Sequence, residues 1–303
     1  MLHQVLSGKD FNRQYQGTKF VKLTNHRENH NGYQFQTGLN ADSIPLNPQR
    51  GCQPGGIYFC EISKLILWLN YSLEVGTMVY VRSVTIPDDA QVYIEYNKFK
   101  ADRMILSDRQ QIVDLEEWED QQYCLEAVRQ NHRALNYVKQ QTAELCLEAV
   151  KQNGYALFSI KEQTMEVCLE AVKQHGCVLR YVKNQTPELC LEAVKQNGFA
   201  IEYVKQQTAE LCLEAVKQQG LSLKYVKELT PELCMEAVKK EGLSLKFVKE
   251  QTPELCLAAV KHNGHALQYV KQQTPEVCLT ADKQNDRALQ ELWLEVDKIK
   301  SIL

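Results

Sequence analysis

The sequence predicts a mainly α protein, an α-solenoid of two-helix, 22-residue repeats preceded by a small α+β domain. Three observations predict it. Cysteine recurs at Cys124, Cys146, Cys168, Cys190, Cys212, Cys234, Cys256 and Cys278, always 22 residues apart. The text around each cysteine recurs too: residues 186–207 read TPELCLEAVKQNGFAIEYVKQQ, and Thr208 opens the next unit. Ahead of the repeats the chain changes to short β-branched and aromatic runs broken by Gly, Pro and Asn. The expected organisation is a polar segment at 1–18, an α+β domain at 19–110 and a capping or connecting helix at 111–119. Eight repeats follow at 120–297, and a tail at 298–303.

Each repeat carries its own helix signals. Thr186 suits an N-cap, because its hydroxyl can accept from a free first-turn amide. Pro187 suits the first helical position, where no amide is needed, and Glu188 places negative charge at the positive helix end. The first helix is expected to run to Asn197, with Gly198 as a left-handed cap, and the second to cover about Phe199 to Gln206. Leu189, Cys190, Ala193 and Val194 form the apolar stripe of the first helix; Ala200, Ile201 and Val204 form that of the second. Helices this short do not hold alone, so the stripes must stack into one core. The end units are atypical, as caps should be. Asp120 stands for the threonine and His132 for the glycine in the first; Asp286 stands for the glycine in the last, which ends in Trp293, Leu294 and Val296.

In the leading domain, strands are expected at Phe20–Thr24, Ile57–Cys60, Met78–Ile86 and Gln91–Tyr96, with a helix from Ile62 to Leu73. That makes four or five strands. Leu115 and Trp118 are expected on a helix that seals the first repeat.

Composition excludes several functions. The longest apolar cluster, Leu65 to Leu69, is far too short to cross a membrane, and the N-terminus lacks the apolar core of a signal peptide. Residues 1–120 hold 12 Lys/Arg and 15 Asp/Glu, and residues 121–303 hold 23 of each. A neutral array argues against nucleic acid, which needs surplus cations on one face. Eight of the 11 cysteines occupy one helical position, one per unit, so they read as small packing residues in a reduced protein. His26, His30, Cys52 and Cys60 do not have a knuckle spacing. No phosphate loop, nucleophile elbow or zincin motif occurs, and no cofactor is expected.

Function is better sought where the repeats differ. The residue before the recurrent aromatic is Asn136, Phe158, Arg180, Glu202, Lys224, Lys246 and Gln268 in turn, beside an aromatic row that includes Tyr181, Tyr203 and Tyr225. This drifting row is the candidate partner-binding surface; the alternative is that the rings are half-buried packing and the drift is neutral. Lys139 to Lys271 make a further row, and Glu148 to Glu236 pair with lysines three residues on as a solvated, self-neutralised face.

Two resemblances add to this. Gly55-Gly56-Ile57-Tyr58-Phe59 resembles the Gly-Ile-Tyr-Phe strand of ADP-ribosyltransferases, with Lys22-Leu23-Thr24 at their early His or Arg position and Asp102 where they place a glutamate. That resemblance implies an effector whose leading domain modifies a target chosen by the repeats, with Asp102 or Glu95 as the acid. The unit TPELCLEAVKQNGxALxYVKxQ is similar to a short helical repeat of unknown function multiplied in mimivirus-like giant viruses. KLTNHRENHNGYQFQTGLN, GCQPGGIYF and VTIPDDAQVYIE are similar to a leader domain found ahead of ankyrin and other repeats there. The expected function is a non-enzymatic scaffold that docks a host or viral protein, in host cytoplasm or virion. The rivals are the ADP-ribosyltransferase-like effector and a structural component of the particle.

Overall fold

The computed structural model describes residues 3–30, 33–49, 53–69 and 78–284. Cys52, residues 70–73 of the expected helix, Asp286, Trp293, Leu294, Val296 and the tail lie outside these residues. The chain divides into two compact units, Met1–Gln152 and Asn153–Leu303.

The first unit runs β1 (Val5–Ser7), α1 (Gly8–Gln14), β2 (Phe20–Asn25), β3 (Asn29–His30), β4 (Tyr33–Gln34), β5 (Gly38–Ala41), β6 (Ile57–Glu61), α2 (Leu65–Leu69), β7 (Met78–Thr85), β8 (Gln91–Ile94), β9 (Phe99–Ala101), β10 (Arg103–Leu106) and β11 (Gln110–Gln111). Two repeat helices follow, α3 (Gln121–Gln130) and α4 (Ala143–Gln152). The main sheet has the order β1-β8-β9-β6-β2-β7-β10-β5, with β11 also on β7, and β3 pairs β4 in a hairpin. All these pairings are antiparallel. The expected four or five strands become eleven among the described residues. The extra ones are two to four residues long, too short to show an alternating pattern.

Of the expected polar segment, residues 3–18 are part of the fold. Val5–Ser7 pairs with Gln91–Tyr93, and Ser7 caps α1 by accepting from the Asp10 amide. Phe11, the one large apolar residue of α1, is 0% exposed and packs against Phe20, Phe59 and Phe99. A polar helix with no amphipathic stripe is fixed here by a single aromatic anchor.

Beside that core lies a buried ion pair. Arg82 donates from Nε and Nη2 to the Glu28 carboxylate at 2.8 and 3.0 Å, and Arg109 adds a bond at 3.2 Å. Glu28 holds a left-handed backbone, φ 50°, which a non-glycine residue adopts only when its surroundings fix it. Burial pushes its carboxyl up, but the Arg82 hydrogen bond and the charges of Arg82 and Arg109 outweigh burial and hold it below the usual carboxylate range. A depressed folded value stabilises above the unfolded value, and that contribution disappears as pH falls through the folded one. The stability advantage of the wild type over Glu28→Gln, read from urea midpoints, is therefore expected to shrink between about pH 7 and about pH 3. Parallel curves would show that Glu28 carries no such linkage.

The expected helix at 111–119 is instead two 3₁₀ turns, Ile112–Asp114 and Glu116–Glu119, separated by Leu115 at ψ 131°. Trp118 nevertheless seals the first repeat. It is 0% exposed, donates from Nε1 to the Ile112 carbonyl at 2.8 Å, and stacks on Tyr137 at 5.3 Å. Tyr123 Oη on α3 donates to the Ile62 carbonyl at 2.9 Å, fastening the repeat to the sheet region.

The second unit holds α5 (Met165–Gln174), α6 (Pro187–Gln196), α7 (Ala209–Gln218), α8 (Pro231–Lys240) and α9 (Pro253–His262); residues 275–284 are also helical. Successive helices pack on one another. Thr164, Thr186, Thr208, Thr230 and Thr252 cap them, each hydroxyl accepting from the amide three residues on. Leu189, Cys190, Ala193, Val194, Ala200, Ile201 and Val204 are all buried.

Two expectations need correction. The second helix is a 3₁₀ helix, as in Gly198–Tyr203, ended by extended Val204 rather than continuing to Gln206. Gly198 is also not a left-handed cap. The cap is Asn197 in an extended conformation, φ −153°, and none of the repeat glycines has positive φ. The glycine is there for space. A Cβ on Gly198 would lie 2.5 Å from the Ala215 carbonyl oxygen of the next repeat; on Gly220 it would lie 2.5 Å from that of Ala237.

Candidate interaction surface

A 3₁₀ helix repeats every three residues, so side chains three apart share a face. Of Gly198–Tyr203, Ala200 and Ile201 point into the core, while Glu202 is exposed and Phe199 and Tyr203 are half-buried. The same division holds through the second unit. Phe158, Arg180, Glu202, Lys224, Lys246 and Gln268 are all exposed. Tyr181, Tyr203, Tyr225, Phe247 and Tyr269 are half-buried beside them. The two rows touch: Arg180 lies 4.6 Å over the Tyr181 ring and 5.9 Å from that of Tyr203. Lys224 sits over Tyr225 at 5.0 Å and Lys246 over Phe247 at 4.7 Å. In the first unit Asn136 is exposed, but its neighbour Tyr137 has a face covered by Trp118.

A third row escaped the sequence reading. The residue after each recurrent glycine, Tyr155, Cys177, Phe199, Leu221, Leu243 and His265, is half-buried or exposed rather than core. Tyr155 approaches Tyr181 at 6.5 Å, and Phe199 approaches Tyr225 at 6.2 Å, each reaching the ring of the following repeat. This position also drifts from repeat to repeat, which is the signal the sequence carries for it.

Behind this face the repeats are tied by glutamines. Gln185 donates from Nε2 to the carbonyls of Leu179 in its own repeat and Tyr203 in the next, at 3.3 and 2.9 Å. Its Oε1 accepts from the Lys205 amide at 3.0 Å and from Cys190 Sγ at 3.8 Å. Gln163, Gln207 and Gln251 make matching bonds to Tyr181, Tyr225 and Tyr269. The lysine row runs alongside, Lys205 Nζ donating to the Lys183 carbonyl at 2.9 Å and Lys227 Nζ to that of Lys205 at 3.2 Å. Position 229 carries leucine, which can make none of these bonds. Gln185→Leu is expected to lower stability by about 1–3 kcal/mol, because it strands half-buried partners. Leu229→Gln is expected to raise stability by about 1 kcal/mol. Urea unfolding of the two single variants checks both signs.

The cysteine ladder is packing. Cys146, Cys168, Cys190, Cys212, Cys234 and Cys256 are buried and unbonded to one another, and burial pushes each thiol up, away from the reactive thiolate. Cys60 is pushed up to about 12 by burial, and His26 packs edge-on against Tyr80.

The residues singled out by the transferase resemblance lie in or beside strands of the sheet. Asp102 accepts from the Gln91 amide at 2.8 Å and bonds Arg103 at 3.3 Å. Glu95 lies 3.6 Å from Lys98. Lys22, in β2, is buried with its ammonium 4.7 Å from the Phe35 ring. A cavity of about 140 Å³ is lined by Lys22, Tyr33, Asp42, Gly55, Gly56 and Tyr58 among others; neither Glu95 nor Asp102 lines it.

A family model described as a domain of unknown function, DUF4116, matches residues 120–165, 144–186, 164–207, 186–230, 208–252 and 230–273. The chain belongs to the DUF4116 family. Each matched window of this DUF4116 chain spans about two successive 22-residue units. Relatives occur in Acanthamoeba polyphaga mimivirus. One named as an ankyrin repeat protein, R868, is 29% identical over 107 residues, or 33% of this chain and 50% of its own length. The uncharacterized protein R869 is 31% identical over 101 residues, or 33% of this chain and 72% of its own. R229, also named as an ankyrin repeat protein, is 31% identical over 103 residues, covering 31% and 30%. The chain thus spans half or less of the ankyrin-named relatives. No solved structure matches. Among the described residues no helix is long and apolar enough to cross a membrane.

Proposed function

We propose that this DUF4116 protein is a non-enzymatic interaction scaffold: the array at 120–297 stacks as an α-solenoid, and its 3₁₀ face docks a host or viral protein, in host cytoplasm or in the particle. One observation carries this reading. Along the second unit the buried positions repeat, whereas the exposed row Phe158, Arg180, Glu202, Lys224, Lys246 and Gln268 changes in size and charge from repeat to repeat. A fixed scaffold with a drifting exposed row is the arrangement by which a repeat protein specifies a partner. The names of R868 and R229 as ankyrin repeat proteins agree with an interaction role. Asp102 accepts from the Gln91 amide and bonds Arg103, and neither it nor Glu95 lines the cavity beside Gly55 and Gly56, which supports the scaffold reading over a transferase.

The test is affinity capture from Acanthamoeba polyphaga extracts, infected and uninfected, with the full chain as bait. Proteins retained by the wild type are expected to be lost when Phe158, Arg180 and Lys224 are changed to alanine. They are expected to remain when Glu188, Glu210 and Glu232, exposed on the first turns of α6, α7 and α8, are changed instead. Equal capture by both variants would move the docking surface off the 3₁₀ face.

A further inference from the structure

We infer that the 3₁₀ face of the second unit takes an acidic peptide segment anchored by an apolar side chain. This inference rests on the docking reading above and names the chemistry of the partner. Two observations on this face combine. The first is an exposed aromatic corner. Phe158 is 74% exposed and Tyr155 is 42% exposed, and their rings lie 5.3 and 6.5 Å from that of Tyr181. His175 closes the corner at 5.0 Å from Tyr155. Exposed rings clustered this way form the desolvatable centre that an anchor side chain needs.

The second is charge. The drifting row of this unit carries Arg180, Lys224 and Lys246 against Glu202 alone, a surplus of two positive charges on a chain of net charge −3. Each cation is already seated on a ring, Arg180 on Tyr181 and Tyr203, Lys224 on Tyr225 and Lys246 on Phe247. Arg180 is also held by the Tyr181 and Tyr203 side chains, which keeps its charge on this face for a carboxylate to meet. Held that way, the cations lose little further freedom on binding, so a carboxylate partner gains more from them than from free side chains.

The same geometry disfavours a single-stranded nucleic acid on this face. Bases need a run of open ring faces to stack on, and here the protein's own cations lie over Tyr181, Tyr225 and Phe247, leaving Phe158 and Tyr155 as a single exposed corner. The ammonium groups of Lys183, Lys205, Lys227 and Lys271, which could neutralise phosphates, donate instead to backbone carbonyls of the preceding repeat.

Fluorescence anisotropy on the full chain tests this with four probes: a short labelled peptide of glutamate, leucine and tryptophan, a glutamate-only peptide of equal charge, the lysine-for-glutamate counterpart, and oligouridine RNA. The mixed acidic peptide is expected to bind tightest and to weaken with salt. Its affinity is expected to fall about tenfold or more in the R180E/K224E/K246E triple variant and several-fold in Phe158→Ala, and to rise several-fold in Glu202→Lys. The Glu202→Lys gain keeps the test decisive if the triple variant shows an altered circular dichroism spectrum. The inference is overturned if the basic or glutamate-only peptide binds as well, if RNA binds tighter, if no probe binds, or if the charge variants leave affinity unchanged. Should these probes fail while capture is still lost in the alanine variant, docking stands and the acidic class is wrong. Should capture also be insensitive, both readings fall.

Discussion

Trp118→Ala is expected to remove about 3–5 kcal/mol of stability, the range for deleting a large buried aromatic. Trp118 is fully buried, packs on both Tyr123 and Tyr137, and donates to the Ile112 carbonyl. Its own carbonyl accepts from Cys124 Sγ at 3.4 Å, so the 3₁₀ turn it sits in is bonded to α3. Truncation leaves a cavity, frees a buried carbonyl and uncovers the ring of Tyr137. The loss belongs to the first unit, which contains all of these partners. Hydrogen exchange measured per segment is therefore expected to show lost protection at α3, with α6 to α8 retaining theirs. Uniform loss along both units would show that Trp118 supports the fold by some other route. Trp118→Phe, which keeps much of the volume but not the donor, is expected to cost less, about 1–2 kcal/mol.

Gly198→Ala is expected to destabilise by about 1–3 kcal/mol, the cost of overpacking a close contact. The sign is informative. At an ordinary position with negative φ, glycine to alanine stabilises by about 0.4–1 kcal/mol, because it narrows the unfolded ensemble. Here the added methyl would lie 2.5 Å from the Ala215 carbonyl oxygen, a backbone atom that cannot rotate away. α7 must then move relative to the 3₁₀ turn, loosening contacts on either side. Gly220→Ala meets the Ala237 carbonyl at the same distance and is expected to behave alike. Urea denaturation of the two single variants and the double variant reads this. A stabilised Gly198→Ala protein would mean that the repeats are not packed this closely.

Much of the repeat was legible because its signals are local. A threonine hydroxyl reaches an amide three residues on, and a helical stripe needs only side chains three and four apart, so caps and core stripes follow from the text around Cys190. The glycine shows where local reading fails. Gly198 follows a helix and looks like its left-handed cap, yet its backbone is ordinary and its constraint comes from Ala215, a residue of the next repeat. The role of the glutamines is hidden from local text for the same reason. Gln185 sits in a polar run, and its partners Tyr203 and Lys205 lie in the following unit. On the candidate surface, the drifting row was readable as drift, but the seating of Arg180 and Lys224 on neighbouring rings was not.

The leading region was less legible. Phe20–Asn25 and Met78–Thr85 announced themselves as β-branched runs, whereas Gly38–Ala41 and Arg103–Leu106 became strands only by pairing across the fold, with each other and, for the second, with Met78–Thr85. By itself, the sequence determined the 22-residue period, the capping chemistry, the neutral charge of the array and the positions free to vary. Tertiary structure alone decided that the second helix is 3₁₀, why glycine begins it, and which rings carry cations. The division has one physical cause. Backbone capping and side-chain periodicity act within a few residues, while close approach between repeats and pairing between distant strands depend on atoms that are neighbours only after the chain has folded.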